Sequence, residues 1–316
     1  MRCKIAFAIA ACLLASTPAP AAQAPLGAKD VTVSAIPGVV AAGAKWRIFW
    51  SEPDNADGIV GTADGGVIFA QREVNRVRKV DPDGKSSVVV ENTNGAGALA
   101  IDYHGRIIGM LRDHPSVAYL TPERKLLTDN YQGVSLKGAS DVVVEKKGGM
   151  YFTESRRMPT PGAYYFGPDG KMFFFGDGRR ANGLALSPDE KTLYLPNRDM
   201  IEAFDILPDG TGTNRREFAK LQPGSNADGM AVDAEGRIYS SGRVGIQVVS
   251  PKGEYLGLIP TPRASTSVAF SGPDKKRLYV IGVGAVDGSG KEMPDEHAKT
   301  IYELPMLAQG YKGRAK

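Results

Sequence analysis

The chain has 316 residues, of which 42% are hydrophobic and 23% charged, a composition that excludes disorder, coiled coil and collagen. Gly (38) and Pro (21) together make up about 19% of residues without a strict period, which points to many tight turns and an all-β architecture. The net charge of +4 is small for this length and its basic residues are scattered, so no nucleic-acid footprint is present.

Taken in chain order, the first element is a targeting signal. Arg2 and Lys4 precede an apolar run from Ile5 to Ala15, and Ala22-Gln23-Ala24 follows in the A-x-A pattern of a cleavage site. Cleavage is expected after Ala24, leaving 25–316 as a single domain exported to a bacterial periplasm. The apolar run is too short to span a bilayer and no later run is longer, so no membrane span is expected. Ile9-Ala10-Ala11-Cys12 is an alternative lipoprotein site, disfavoured because Leu13-Leu14 continue the run past the cysteine. Cys3 and Cys12 both fall within the signal, so the mature chain is expected to carry no thiol or disulfide.

A repeat occupies the rest. An acidic or Gly-containing turn leads into an apolar strand in ADGGVIFA from Ala63, DYHGRIIGM from Asp102, EKKGGMYFT from Glu145, PDEKTLYLP from Pro188, DAEGRIYSS from Asp233 and PDKKRLYVI from Pro273. Between copies fall VDPDGK, FGPDGK, ILPDGT and VSPKGE, each a strand running into a second turn. Two hairpin signals per period of about 42 residues predict four short strands per unit, and six such units arranged radially make a six-bladed β-propeller. The segments Val31 to Ile36 and Thr300 to Leu304 lie outside the six phrases, and either is expected to supply the strand that closes the ring.

Eight residues before each turn position stand Asp57, Gly97, Ser140, Asn182, Asp228 and Ser267, all polar or small, and expected to begin the inner strands at the central axis. In ADGIV, ANGLALS and ADGMAVD a glycine follows the polar residue, suited to a sharp turn or to close approach of a ligand. Two carboxylates and a carboxamide converging on an axis form an all-oxygen site for one divalent cation, calcium, magnesium or manganese rather than zinc. The structural alternative is that Asp and Asn at strand starts hydrogen-bond their own backbone. Asp64, Asp102 and Asp233 lie in the hairpin turns themselves and are assigned that structural role.

YQGVSLKGASDVVVEKKGGMYFTES from Tyr131, ANGLALSPDEKTLYL, NADGMAVDAEGRIYSSG and SVAFSGPDKKRLYV resemble the senescence marker protein/gluconolactonase family, whose bacterial gluconolactonases carry similar phrases in this order, over about residues 50 to 285. The resemblance implies a six-bladed propeller with one axial divalent metal, calcium first, with magnesium, manganese or zinc as alternatives. By position, Asn182 and Asp228 take up two ligand places and Asp57 the third, where the family has Glu; Glu52 is a less suitable substitute. Ser140 replaces an Asn that faces substrate in the family, Ser267 replaces an Asn of the last blade, and His114 in LRDHPSVAYL matches a family His, expected to line the pocket mouth or to assist proton transfer. His104 and His297 receive no role.

The implied activity is metal-dependent hydrolysis of a sugar lactone or related small lactone. Asp57, Asn182 and Asp228 are the expected ligands, Asp228 or Asp141 the general base, and Ser140, His114 and Ser267 the substrate-facing residues. A metal-containing propeller that binds a small molecule, or has other chemistry on it, is the alternative. The expected partner is a small-molecule substrate, for a monomer or weak homo-oligomer. Arg156-Arg157 and Arg179-Arg180 are candidates for positive charge near the entrance. No Walker A sequence, dinucleotide fingerprint, HExxH or G-x-S-x-G elbow occurs.

Overall fold

The computed structural model describes residues 27–154, 162–176, 181–223, 225–287, 289, 291–293 and 297–315. The signal segment, Arg156-Arg157 and Arg179-Arg180 therefore lie outside the described residues. Those described hold no helix, and none long and apolar enough to cross a membrane.

Six four-stranded antiparallel sheets follow one another along the chain as the blades of a propeller. Their inner strands are Asp57–Gly61, Ala96–Ile101, Ala139–Val144, Ala185–Leu186, Ser225–Val232 and Ser265–Ser271, which define blades 1 to 6. Burial falls from the axis outward: Ile59 and Val60 in the inner strand of blade 1 are fully buried, whereas Val88 and Val89 in its outer strand, Ser86–Glu91, are exposed.

The apolar core lies in six wedges, each shared by two neighbouring blades. Val143, Tyr151 and Tyr165 of blade 3, for example, pack against Leu184, Leu193 and Phe204 beside and within blade 4. Alternate side chains along a strand face the two neighbouring wedges. The axis itself is left to residues that the wedges do not take, which is where the polar repeat positions fall.

Ring closure differs from both expectations. Thr300 to Leu304 belong to the third strand of blade 6, Lys299–Pro305, and the fourth strand is Arg47–Glu52, paired in the register Arg47↔Glu303 and Ser51↔Thr300. Val31 to Ile36 forms no strand. A tight turn bridges Ile36 to Val40, and Val33, Ile36, Val39 and Val40 bury their side chains against the wedge between blades 5 and 6. Closing blade 6 with an N-terminal strand unites the two ends of the ring in one sheet and covers the edge that strand Lys299–Pro305 would otherwise expose.

The hairpin-turn acids are structural, as expected. Asp102 Oδ1 accepts the backbone N–H groups of His104 and Arg106, both at 2.9 Å, and Asp233 Oδ1 accepts those of Glu235 at 3.0 Å and Arg237 at 2.9 Å. Asp64 does the same for Gly66 at 3.2 Å.

The C-terminal segment, 306–315, crosses the end of the ring where the inner strands finish. Gly61 N donates to Ala315 O at 2.9 Å, Ala234 N to Gln309 O at 2.8 Å and Gly310 N to Lys275 O at 2.8 Å, so blades 1, 5 and 6 are all tied to it. Arg314 is buried. It donates to Ser187 O at 2.9 Å and to Leu186 O, and its Nη1 lies 3.2 Å from Glu190 Oε1 in blade 4.

Lys275 lies beneath this segment and donates to Tyr311 O at 3.1 Å and to Arg314 O. Burial and the neighbouring Arg314 guanidinium hold its ammonium down to about 8. Above that pH the folded protein loses the proton while the unfolded chain keeps it until about pH 10. The unfolded state then binds more protons, so unfolding free energy rises with pH. Urea midpoints are therefore expected to increase from pH 7.5 to 9.5, and Lys275→Met is expected to lose the increase. A flat or falling wild-type profile would contradict this placement of Lys275.

Candidate functional site

At the opposite end of the ring the inner strands begin, and there the hydrogen-bond ladder lapses in a common place. The pairing register shifts between Asp57 and Val60, Ala96 and Ala98, Ala139 and Val142, Ser225 and Met230, and Ser265 and Ser267. In blade 4 the strand starts only at Ala185, so Asn182 precedes the ladder altogether. Such bulges twist a strand end and re-aim its side chains. Here they turn the repeat's polar residues into the axis instead of into the wedges.

The result is a cavity of about 300 Å³ on the axis, lined by Asp57, Ser140, Asp141, Asn182, Asp228 and Ser267. The structure thus brings together every axial residue singled out in the sequence except Gly97, whose neighbour Ala98 lines the wall. His114 is not among them. It lines a separate surface cavity with Leu126, Asp129 and Leu136, and Arg112, two residues earlier, is the one turned inward.

The glycines after the axial residues serve the ring before any ligand. A Cβ on Gly183 would drive into the Asp228 carbonyl, and one on Gly58, whose φ is +54°, would sit 2.5 Å from Ala98 Cα. Adjacent inner strands therefore touch backbone to backbone, which brings the axial side chains of neighbouring blades together. Asn182 Nδ2 donates to Asp228 Oδ1 across one such contact.

Asn182, lacking a ladder, is held from blade 3. Thr153 Oγ1 donates to the Asn182 carbonyl at 2.5 Å and accepts from Asp141 N at 3.2 Å. Asp141 is 5% exposed, and its two oxygens accept the backbone N–H groups of Val142 at 2.9 Å and Leu184 at 3.3 Å. Asp141 is thus a clamp between blades 3 and 4 on either side of Asn182. Below Ser140, the fully buried Glu154 accepts from Gly138 N at 2.7 Å and from Lys137 N; burial raises its carboxyl above the ordinary range despite those donors. Ser140 Oγ in turn donates to Gly138 O at 3.2 Å.

Asp57 Oδ1 accepts Gly58 N at 2.9 Å, and its Oδ2 lies 3.3 Å from Arg112 Nη2. Arg72, Glu73, Thr266, His297 and Lys299 also line the cavity. From sequence, the basic cluster Arg72 to Lys79 reads as a solvated strand face and Arg112 carries no role, because both arginines follow the second strands of their blades, outside the axial count; the structure instead places Arg72 and Arg112 on the cavity. Their signal was present: Arg72-Glu73 and Arg112-Asp113 occupy the same hairpin position, one residue past Gln71 and Leu111, in successive repeats.

As a donor set, two carboxylates and an amide on one small cavity fit a hard divalent cation. Among the described residues no group of three or more His, Cys, Asp or Glu side chains is gathered to hold a metal, so a cation here would need the Asn182 amide as a ligand.

Fold and site define a six-bladed propeller with an oxygen-rich axial cavity open at one end. A family model, the SMP-30/gluconolactonase/LRE-like region, matches residues 88–283, and the chain belongs to that family. It is 28% identical to a gluconolactonase of Zymomonas mobilis over 253 residues, 67% of this chain and 70% of that one. Among solved structures it is similar to a gluconolactonase of Xanthomonas campestris, with a TM-score of 0.75 and 24% identity over 92% of this chain and 99% of that one. It is also similar to a calcium-binding regucalcin of Agrobacterium tumefaciens, with a TM-score of 0.68 and 17% identity over 84% and 95%.

Proposed function

We propose that the protein hydrolyses a small lactone in the axial cavity, with one divalent cation, calcium first, held by Asp57, Asn182 and Asp228. The observation that carries this reading is the contact of Asn182 with Asp228 in a cavity that Asp57 also lines. Names of relatives support the reaction class, since both gluconolactonases above are lactone hydrolases by name. The A-x-A pattern at Ala22-Gln23-Ala24 supports export to a periplasm.

The cation, when bound, would polarise the ester carbonyl and stabilise the oxyanion that forms on it. The chain's own groups do the rest. Asp228 takes a proton from the attacking water, as a carboxylate within reach of the carbonyl can. The ring C–O bond then breaks and the departing ring oxygen takes up a proton, giving the hydroxy acid. Ser140 and Ser267, on blades 3 and 6, offer hydroxyls to the substrate's own hydroxyl groups from two sides of the cavity. Asp141 keeps Asn182 in place by clamping Leu184 N, which makes it a positioning residue and leaves the base role to Asp228.

Thermal unfolding with added metal tests the ligand set. A ligand that binds only the folded state at a hundred times its Kd adds about 2.7 kcal/mol of stability. Calcium is expected to raise the midpoint of the wild type and to leave that of Asp228→Ala unmoved, and a lactone added after calcium is expected to raise it further. A calcium response that survives in Asp228→Ala would refute the assignment.

A further inference from the structure

Resting on the lactonase reading, a narrower inference concerns what else the substrate carries. In blade 2 the axial position is Gly97, and the place its side chain would take is filled by a guanidinium: a Cβ there would lie 2.5 Å from Arg112 Cζ. Arg112 thus does for blade 2 what Asp57, Ser140, Asn182, Asp228 and Ser267 do for the others. Its side chain is only 20% exposed, yet among the described residues it makes no hydrogen bond, and its one ion pair is the 3.3 Å approach to Asp57. A guanidinium has five N–H donors in a planar fork, so a mostly buried one with a single carboxylate at 3.3 Å has donors to spare for a ligand that brings further acceptors.

Among the described residues, charge is distributed unevenly around the ring. Arg72, Arg112 and Lys299, from blades 1, 2 and 6, line one arc together with the carboxylates of Asp57 and Glu73. The opposite arc, from blades 3, 4 and 5, carries Asp141, Asn182 and Asp228 and, among the described residues, no cation. A lactone whose reacting carbonyl lies at Asn182 and Asp228 extends its remaining carbons across the cavity toward Arg112. A divalent cation held by Asp57, Asn182 and Asp228 would leave the cavity net positive.

We infer that the substrate is a lactone bearing a free carboxylate, such as the lactone of a sugar dicarboxylic acid, and that Arg112 binds that carboxylate while the ester is opened at the other arc. Arginine matches a carboxylate with two parallel N–H···O bonds, which a neutral sugar hydroxyl cannot offer. The reaction needs only water: the ester C–O bond breaks, water supplies the hydroxyl to the carbonyl carbon and a proton to the ring oxygen, and the new carboxylic acid ionises, so that a hydroxy dicarboxylate and one proton are released.

The test compares D-glucaro-1,4-lactone, which carries the carboxylate, with D-galactono-1,4-lactone, which does not, on the calcium-loaded protein. Wild type is expected to favour the first at least tenfold in kcat/KM. Arg112→Gln is expected to cut that ratio at least tenfold, mainly through KM, and Arg112→Lys to restore part of it. Equal rates on the two lactones, or a ratio that Arg112→Gln does not move, would overturn the inference. If neither lactone is hydrolysed, the lactonase reading fails separately and binding decides the matter for Arg112. In metal-free buffer D-glucarate is then expected to raise the thermal midpoint of wild type but not of Arg112→Gln. No shift in wild type, or a larger shift with inorganic phosphate than with glucarate, would overturn the carboxylate assignment.

Discussion

Asp228→Asn is expected to lower kcat for lactone hydrolysis by a factor on the order of 10² to 10⁴, the range that general-base catalysis supplies. The substitution keeps the side chain's shape and one carbonyl oxygen, so the Gly183 contact and the approach of Asn182 should survive. What it removes is the proposed proton acceptor and one negative charge of the proposed cation site. A parallel Asp141→Asn variant separates the roles. Its oxygens are held by Val142 N and Leu184 N, so that variant is expected to lose stability through the blade 3 to blade 4 clamp, with a smaller fall in kcat than Asp228→Asn. Steady-state rates and thermal midpoints of both variants check this; a deeper kcat loss in Asp141→Asn would exchange the two assignments.

The second large effect lies at the far end of the ring. Arg314→Ala is expected to destabilise the fold by about 3 to 5 kcal/mol, the range for removing one partner of a buried ion pair. The Leu186 and Ser187 carbonyls lose their donor, and Glu190, with a side chain 14% exposed, loses its cation. For a protein of this size that corresponds to a fall of roughly 6 to 15 °C in the thermal midpoint. Truncation after Ala308 should cost at least as much, since it also removes the acceptors for Gly61 N and Ala234 N. A shift under about 2 °C would mean that the segment does not fasten the blades. Well below the midpoint, hydrolysis by Arg314→Ala is expected to persist, because the cavity opens at the other end.

The blades were legible because each is built from two hairpin signals, and the turn acids Asp102 and Asp233 do in space what their sequence context demands. The axial set was legible for the same reason: a fixed count back from each turn reaches one position per blade, and Asp57, Ser140, Asn182, Asp228 and Ser267 all meet on one cavity. Where the chain leaves the repeat, that logic ends. Arg47–Glu52, which closes the ring, has no turn phrase of its own, and its pairing with Lys299–Pro305 joins residues about 250 positions apart. His114 was taken from the family resemblance, whereas the hairpin corner turns Arg112, two residues earlier, into the cavity, and the shared register of Arg72 and Arg112 shows only when the second strands are superposed. The clamp made by Asp141 depends on a contact between blades, which no single repeat contains.

The most direct test of the central claim is proton release by the calcium-loaded protein on a panel of γ- and δ-lactones, neutral and carboxylate-bearing, with Asp228→Ala as control. Hydrolysis well above background on at least one lactone, abolished in Asp228→Ala, is the result this account requires. No hydrolysis above background across the panel, or equal rates in wild type and Asp228→Ala, would contradict it.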